Sequence, residues 1–332
     1  MKYITFLLAI VFYSCSSDSA VSSDKEDNII EYETAYDSIN ALIKAKPDKA
    51  SLYVYRSELR QNDKEFELAL GDLDRAIEVD SLNDNWYVLK SELLFDLKRF
   101  KESKDVLDNA IFKAPGSVPL ILKKSEMYLI TGDLQQCVSW ANAALDFDVY
   151  NAEAYYLKGM AHKFGKDTVK AVTSFQTAVE QDINHYEAYM QLASLYAAEQ
   201  HALAPSYYTN AIRIDSSSTE AYYGRGLYYQ NSEKADKAMA DYQSILDIDS
   251  NHVQAHYNMG YVKLLMLEEM DTAEVLFNKA FALDSTYLNA LYMVGYSMEL
   301  NGRSLDAEKT YREVLKLDPT HLLAAKGLNR LE

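Results

Sequence analysis

His252 and His256 stand four residues apart, the spacing that sets two imidazoles on one helical face as a metal pair. No third ligand stands near them in sequence, so a solvent-facing pair is expected and no metal or other cofactor; the remaining histidines are scattered. Three glutamates recur every thirty-four residues, Glu58, Glu92 and Glu126, each two residues after a cation: Arg56, Lys90 and Lys124. Lys158 and Arg225 continue the basic series. Charges so placed either form inter-repeat ion pairs, a structural ladder, or present an acidic surface to a basic partner; the structural role is favoured. Arg56 and Arg225 are followed sixteen residues on by Asp72 and Asp241, which predicts pairing between two helices of one unit. No phosphate-binding loop, nucleophile elbow or zinc-protease motif occurs, and no polar constellation of an active site is visible, so the expectation is a protein that is not an enzyme.

What positions these residues is a repeat. A column of small residues runs Ser57, Ser91, Ser125, Gly159, Ala193, Gly226, Gly260, Gly295, at spacings of 34, 34, 34, 34, 33, 34 and 35. A second column follows about twelve residues later: Ala69, Ser103, Cys137, Ala171, Ala204, Ala238, Ala273, Ala307. A third contains Ala76, Ala110, Ala144, Ala178 and Ala211, and all three keep step through the same deletion and insertion. Small side chains at fixed points allow two antiparallel helices to approach within ~8–10 Å. Phe175, Tyr208, Tyr242, Phe277 and Tyr311, four past the second column, fill the flanks. Asp-Ser, Asp-Pro and Ala-Pro pairs close the units, stopping one helix and capping the next. Only 11 Gly and 5 Pro in 332 residues agree with long helices and short turns. Cys137, within the small column, is expected to be an inert packing residue.

The segments AYYGRGLYYQNSEKADKAMADYQSILDIDS (221–250) and ALYMVGYSMELNGRSLDAEKTYREVLKLDP (290–319) carry an aromatic, a Gly, Tyr, then Ala, an aromatic and Asp-Ser or Asp-Pro at the unit's end. That pattern resembles the tetratricopeptide-repeat (TPR) family, over more than four-fifths of the chain. The resemblance implies an all-α, right-handed superhelical solenoid of antiparallel helix pairs. Eight units over 50–321 are expected, with capping helices at 28–49 and 322–332. It also implies a concave wall lined by the first helix of each unit, where a protein or peptide segment binds. The first three units depart, with Ser in place of Gly and no column of aromatics before it.

Helical periodicity places the wall three before and one after the Gly column. The candidate groove residues are therefore Tyr156, Met160, Tyr223, Leu227, Tyr257, Tyr261, Tyr292 and Tyr296, with Glu58, Glu92 and Glu126 as an acidic ladder at the other end. These rings either contact ligand or pack on neighbouring helices; contact is expected most at Tyr257, Tyr261, Tyr292 and Tyr296, which puts the partner at units five to eight. The Lys and Asn side chains with which one TPR subclass grips a chaperone's terminal carboxylate are absent from these positions, so no such clamp is expected.

Residues 1–15, MKYITFLLAIVFYSC, join one Lys, an apolar run and Ser14-Cys15, and resemble a bacterial lipoprotein signal whose lipid is attached at Cys15. Residues 16–27 are polar and Ser/Asp-rich, expected as a flexible linker. With Cys15 modified, Cys137 has no disulfide partner. Ser16 after the cysteine implies the outer membrane. A net charge of −17 excludes a general nucleic-acid surface and electrostatic adhesion to anionic lipid, leaving the N-terminal lipid as membrane contact. The leading expectation is a membrane-tethered protein-binding scaffold in a cell-envelope complex. The alternative is an envelope glycan or small-molecule binder, or a hydrolase, using the tyrosine wall.

Overall fold

The computed structural model describes residues 35–331, and among these it contains eighteen α-helices and no strand. Helix α1 (Ala35–Ala45) precedes eight antiparallel pairs. The first four are α2 (Ala50–Asn62) with α3 (Phe66–Val79), α4 (Asp84–Asp96) with α5 (Phe100–Lys113), α6 (Val118–Ile130) with α7 (Leu134–Phe147), and α8 (Ala152–Phe164) with α9 (Thr168–Gln181). The next four are α10 (Tyr186–Ala198) with α11 (Ala204–Ile214), α12 (Thr219–Asn231) with α13 (Ala235–Ile248), α14 (Val253–Leu265) with α15 (Met270–Leu283), and α16 (Leu288–Leu300) with α17 (Ser304–Leu317). Helix α18 (Leu322–Leu331) closes the array. The signal and linker expected over 1–27 lie outside the described residues, as does 28–34 of the first capping helix. That helix ends at Ala45 and not at 49, because Pro47 disfavours helical geometry in the residue before it.

Two kinds of turn make the repeat. Within each unit one residue adopts a left-handed conformation, from Lys64 and Lys98 through Gly132 to Gly302, and only those last two are glycine. Between units the closing aspartate folds back on itself: Asp148, Asp182, Asp249 and Asp318 each accept from the backbone N–H two residues on. The next helix is then capped, by the Ser117 hydroxyl, the Asn151 amide oxygen or a histidine Nδ1 at His185, His252 and His321.

The small column is where the two helices of a unit meet, and it has two solutions. In later units a glycine admits an aromatic ring: a Cβ on Gly260 would lie 2.8 Å from the Phe277 ring, and Gly159, Gly226 and Gly295 stand in the same relation to Phe175, Tyr242 and Tyr311. In the first three units a buried serine ties the pair instead. Ser57 donates to the Ala69 carbonyl at 3.0 Å and Ser125 to that of Cys137 at 2.8 Å, while Ser103 donates to Ser91 at 2.9 Å. The ring position there is held by Leu73, Leu107 and Ala141. Glycine goes with a ring, serine with an aliphatic residue.

Unit five breaks the series. Its small residue, Ala193, carries a Cβ, and helix α11 lacks the first turn of its counterparts. The Tyr208 ring is accordingly turned to Gly224 of the next unit, where a Cβ would lie 2.5 Å away. Cys137 is fully buried, and burial raises its thiol above the ordinary value, as expected of a packing cysteine.

Candidate interaction wall

First helices of neighbouring units meet one another: α4 with α6, α6 with α8, α10 with α12, and α16 with the closing α18. Second helices do not pack on one another in this way, so the first helices form one face of the solenoid.

On this face the positions three before the small column lean into the joints between units. The rings of Tyr156, Tyr223, Tyr257 and Tyr292 each lie against the aromatic of their own second helix: Phe175, Tyr242, Phe277 and Tyr311, at centroid distances of 5.4–6.3 Å. Each also lies against the capping residue of the following helix: His185 at 5.0 Å, His252 at 6.2 Å, Tyr287 at 4.9 Å and His321 at 5.8 Å. Burial lifts the Tyr156 phenol to about 12 and raises that of Tyr257 too. Tyr292 is 8% exposed. Packing is therefore what the structure displays for these four. The pattern was present in sequence, since His185, His252, Tyr287 and His321 keep step with the tyrosines.

Three of the six histidines, His185, His252 and His321, are thus ordered at the joints and not scattered, and the solvent-facing pair is corrected. His252 caps α14, and His256 is buried, its Nε2 3.0 Å from the Ser250 carbonyl.

The positions one after the column are more open. Met160, Leu227, Tyr261 and Tyr296 are half-buried, and Ser194 and Glu58 are exposed. At the C-terminal end, however, Arg330 of α18 lies over the Tyr296 ring at 5.4 Å and forms two hydrogen bonds to Glu299. The closing helix thus occupies part of the face of unit eight. Five after the column, a helical turn further on, every residue is exposed, from Asp96 and Ile130 to Leu265 and Leu300. This stripe lies outside the wall positions expected from the sequence.

The charges pair differently from expectation in part. Arg56 and Arg225 do bind Asp72 and Asp241 within their units, each at 2.6 Å with a second bond from Nε. Lys90 and Lys124 instead reach back to Asp74 and Asp108 of the preceding unit, and not to the glutamate ladder. Lys124 is buried beside the Trp140 ring, 3.9 Å from its centroid. The ladder's own cation is Lys123, 2.7 Å from both Glu92 and Glu126. Glu58 is exposed, but the apolar residues at its side partly desolvate its carboxyl and raise it above the ordinary range.

A cavity of about 300 Å³ opens on the wall between α10 and α12, lined by Met190, Gln191, Ser194, Glu220, Tyr223 and Gly224. It lies where unit five has alanine in the small column and the next unit has Gly224. Lys163 donates to Gln191 at its edge, at 2.5 Å. Such a site sets the Met190 side chain and the Tyr208 and Tyr223 rings beside amide, hydroxyl and carboxylate groups for orienting a segment laid across it.

Known proteins share this architecture. Two family models described as Tetratricopeptide repeat match this chain, one at residues 152–184 and 219–252 and the other at 289–321. The C-terminal part of a TPR repeat-containing protein from Cytophaga hutchinsonii superposes with a TM-score of 0.63 at 17% identity, covering 73% of this chain and 99% of that one. The structure of YrrB, described as a TPR protein with an unusual peptide-binding site, gives a TM-score of 0.50 at 20% identity over 56% of this chain and 96% of its own. In sequence the chain is 24% identical over 161 residues to anaphase-promoting complex subunit 3 of Schizosaccharomyces pombe, covering 48% of this chain. It spans about a quarter (24%) of that relative's length.

Proposed function

This chain is a tetratricopeptide-repeat protein, an all-α solenoid whose fold supports a protein–protein interaction scaffold, and from that we propose that it is not an enzyme and captures a protein or peptide segment on the wall of its first helices. The observation that carries the proposal is the pocket between α10 and α12, which joins Met190 and Tyr223 to polar groups on the face formed by the first helices. The peptide-binding site in the description of YrrB supports the same use of the fold. Capture centres on units four to six, with Met160, Ser194, Leu227 and the part of Tyr223 that faces the pocket, more than on units seven and eight. At that end Tyr292 is buried and Arg330 lies over Tyr296.

The test is Ser194→Trp combined with Leu227→Glu, which fills the pocket mouth and charges the wall while sparing the buried rings. Loss of central contacts costs about 2 kcal/mol or more, so capture should weaken roughly thirtyfold with an unchanged helical signal and melt. Undiminished capture would refute the site.

The setting we propose is the cell envelope, with the chain tethered by a lipid on Cys15 and held at the outer membrane. The support is the signal-like pattern of residues 1–15. Fatty-acid labelling of the chain should then occur and vanish in Cys15→Ser; label retained in that variant rules the anchor out.

A further inference from the structure

The wall of units one to three carries two adjoining cavities that the proposed capture site does not use. One, of about 110 Å³ between α2 and α4, has an apolar floor that includes Val54, Leu73, Leu89 and Leu93. The other, of about 260 Å³ between α4 and α6, is lined by Phe95, Met127 and Ile130. Glu92 and Asp96, four residues apart on one helical face, border both, and Glu58 stands in the first. Each cavity therefore joins an apolar floor to carboxylates at its mouth.

The distribution of partners along this wall identifies what is missing from it. Four carboxylates line the two cavities, Glu58, Glu92, Asp96 and Glu126, against one cation, Lys123, which is bound to Glu92 and Glu126. Glu58 and Asp96 hold no ion pair or side-chain hydrogen bond within the described chain, although cations nearby have found acids elsewhere: Arg56 and Arg60 on Asp72, Lys90 on Asp74. Glu58 and Asp96 are exposed beside that apolar floor, so they leave a negative potential at its mouth that no cation of the described chain neutralises. An anionic ligand is repelled here; a cationic side chain is attracted, and its aliphatic stem suits the same floor.

We propose that the wall of units one to three is a second docking site, which takes a partner segment carrying Lys or Arg beside a large apolar residue. The cation sits between Glu58 and Asp96, and the apolar neighbour enters the cavity of Phe95, Met127 and Ile130. This rests on the scaffold reading and assigns its partner chemistry, but it stands on different residues from the pocket between α10 and α12.

The test selects a phage-displayed random peptide library on the immobilised full chain, then measures the enriched peptides against Glu58→Gln/Asp96→Asn and against Ser194→Trp. Neither Glu58 nor Asp96 supports an internal contact, so the double variant should melt like the parent. The expected result is enrichment of Lys or Arg next to Leu, Met or Phe, binding roughly tenfold weaker to the double variant and weakened by added salt. Peptides without a cation, peptides indifferent to the double variant, or no enrichment would overturn the proposal. Enriched peptides lost only in Ser194→Trp would leave the capture site standing and remove this one.

Discussion

Phe277→Ala should lower stability by about 3–5 kcal/mol and break the unfolding of the array into two steps. The ring is fully buried, rests on Gly260, and receives the edge of Tyr257 at 5.4 Å. Glycine at 260 leaves no side chain to close the space, so the cavity persists. A solenoid is held by nearest-neighbour interfaces, so a unit that fails severs the units beyond it from those before. Urea unfolding followed by helical signal should show the C-terminal units melting first. Val275→Ala, on the same helix but 68% exposed, should change stability by less than about 0.5 kcal/mol. The first three units suggest the rescue: Gly260→Ser with Phe277→Leu installs their alternative, and should recover much of the loss. A single transition at the parent's midpoint in Phe277→Ala would contradict this view of the unit.

Arg225→Ala should be nearly as costly, about 3–5 kcal/mol at neutral pH, because it strands a buried charge. Asp241 is 4% exposed, and Arg225 supplies the ion pair at 2.6 Å. Burial holds the Asp241 carboxyl above the ordinary range, with Arg225 pulling the other way. The sign follows from that direction. A carboxyl raised in the folded state binds its proton more tightly there than in the unfolded chain. Its contribution is fully present below the unfolded pKa and is lost as pH rises through the folded one. Without Arg225 the rise is larger, so the variant's deficit should be greatest at neutral pH and shrink towards about pH 4. Arg56→Ala should cost less, since Arg60 also holds Asp72, at 2.7 Å. Equal deficits at acid and neutral pH would show that Asp241 does not carry the effect.

Much of this architecture is legible in the chain. Columns of small residues in step announce helix pairs, because only they permit the crossing, and the sixteen-residue offset announced Arg56–Asp72 and Arg225–Asp241. Half of the expected wall, three before the column, turns out of the open face for a geometric reason. Helical side chains lean towards the N-terminus of their helix. The tyrosines three before the column therefore settle into the joints against His185, His252, Tyr287 and His321, and the stripe beginning one after the column stays open. Lys90 and Lys124 turned back to the preceding unit, a choice that the sequence offset alone does not make, since acids stand at suitable distances in more than one helix. Tyr208 was harder still: its ring crosses to Gly224 because of what Ala193 lacks room for, a relation between two units. The pocket at α10 and α12 follows from that one irregularity.

Site-specific photo-crosslinking in cells reads capture on the wall of first helices without intermediaries. A photoreactive phenylalanine analogue is placed at Ser194, exposed on the wall, or at Val275, exposed on the second helix of unit seven. A discrete protein adduct is expected from position 194, lost when Leu227→Glu is added, and none from position 275. Adducts from 275 alone, or an adduct at 194 indifferent to Leu227→Glu, would contradict capture on this wall.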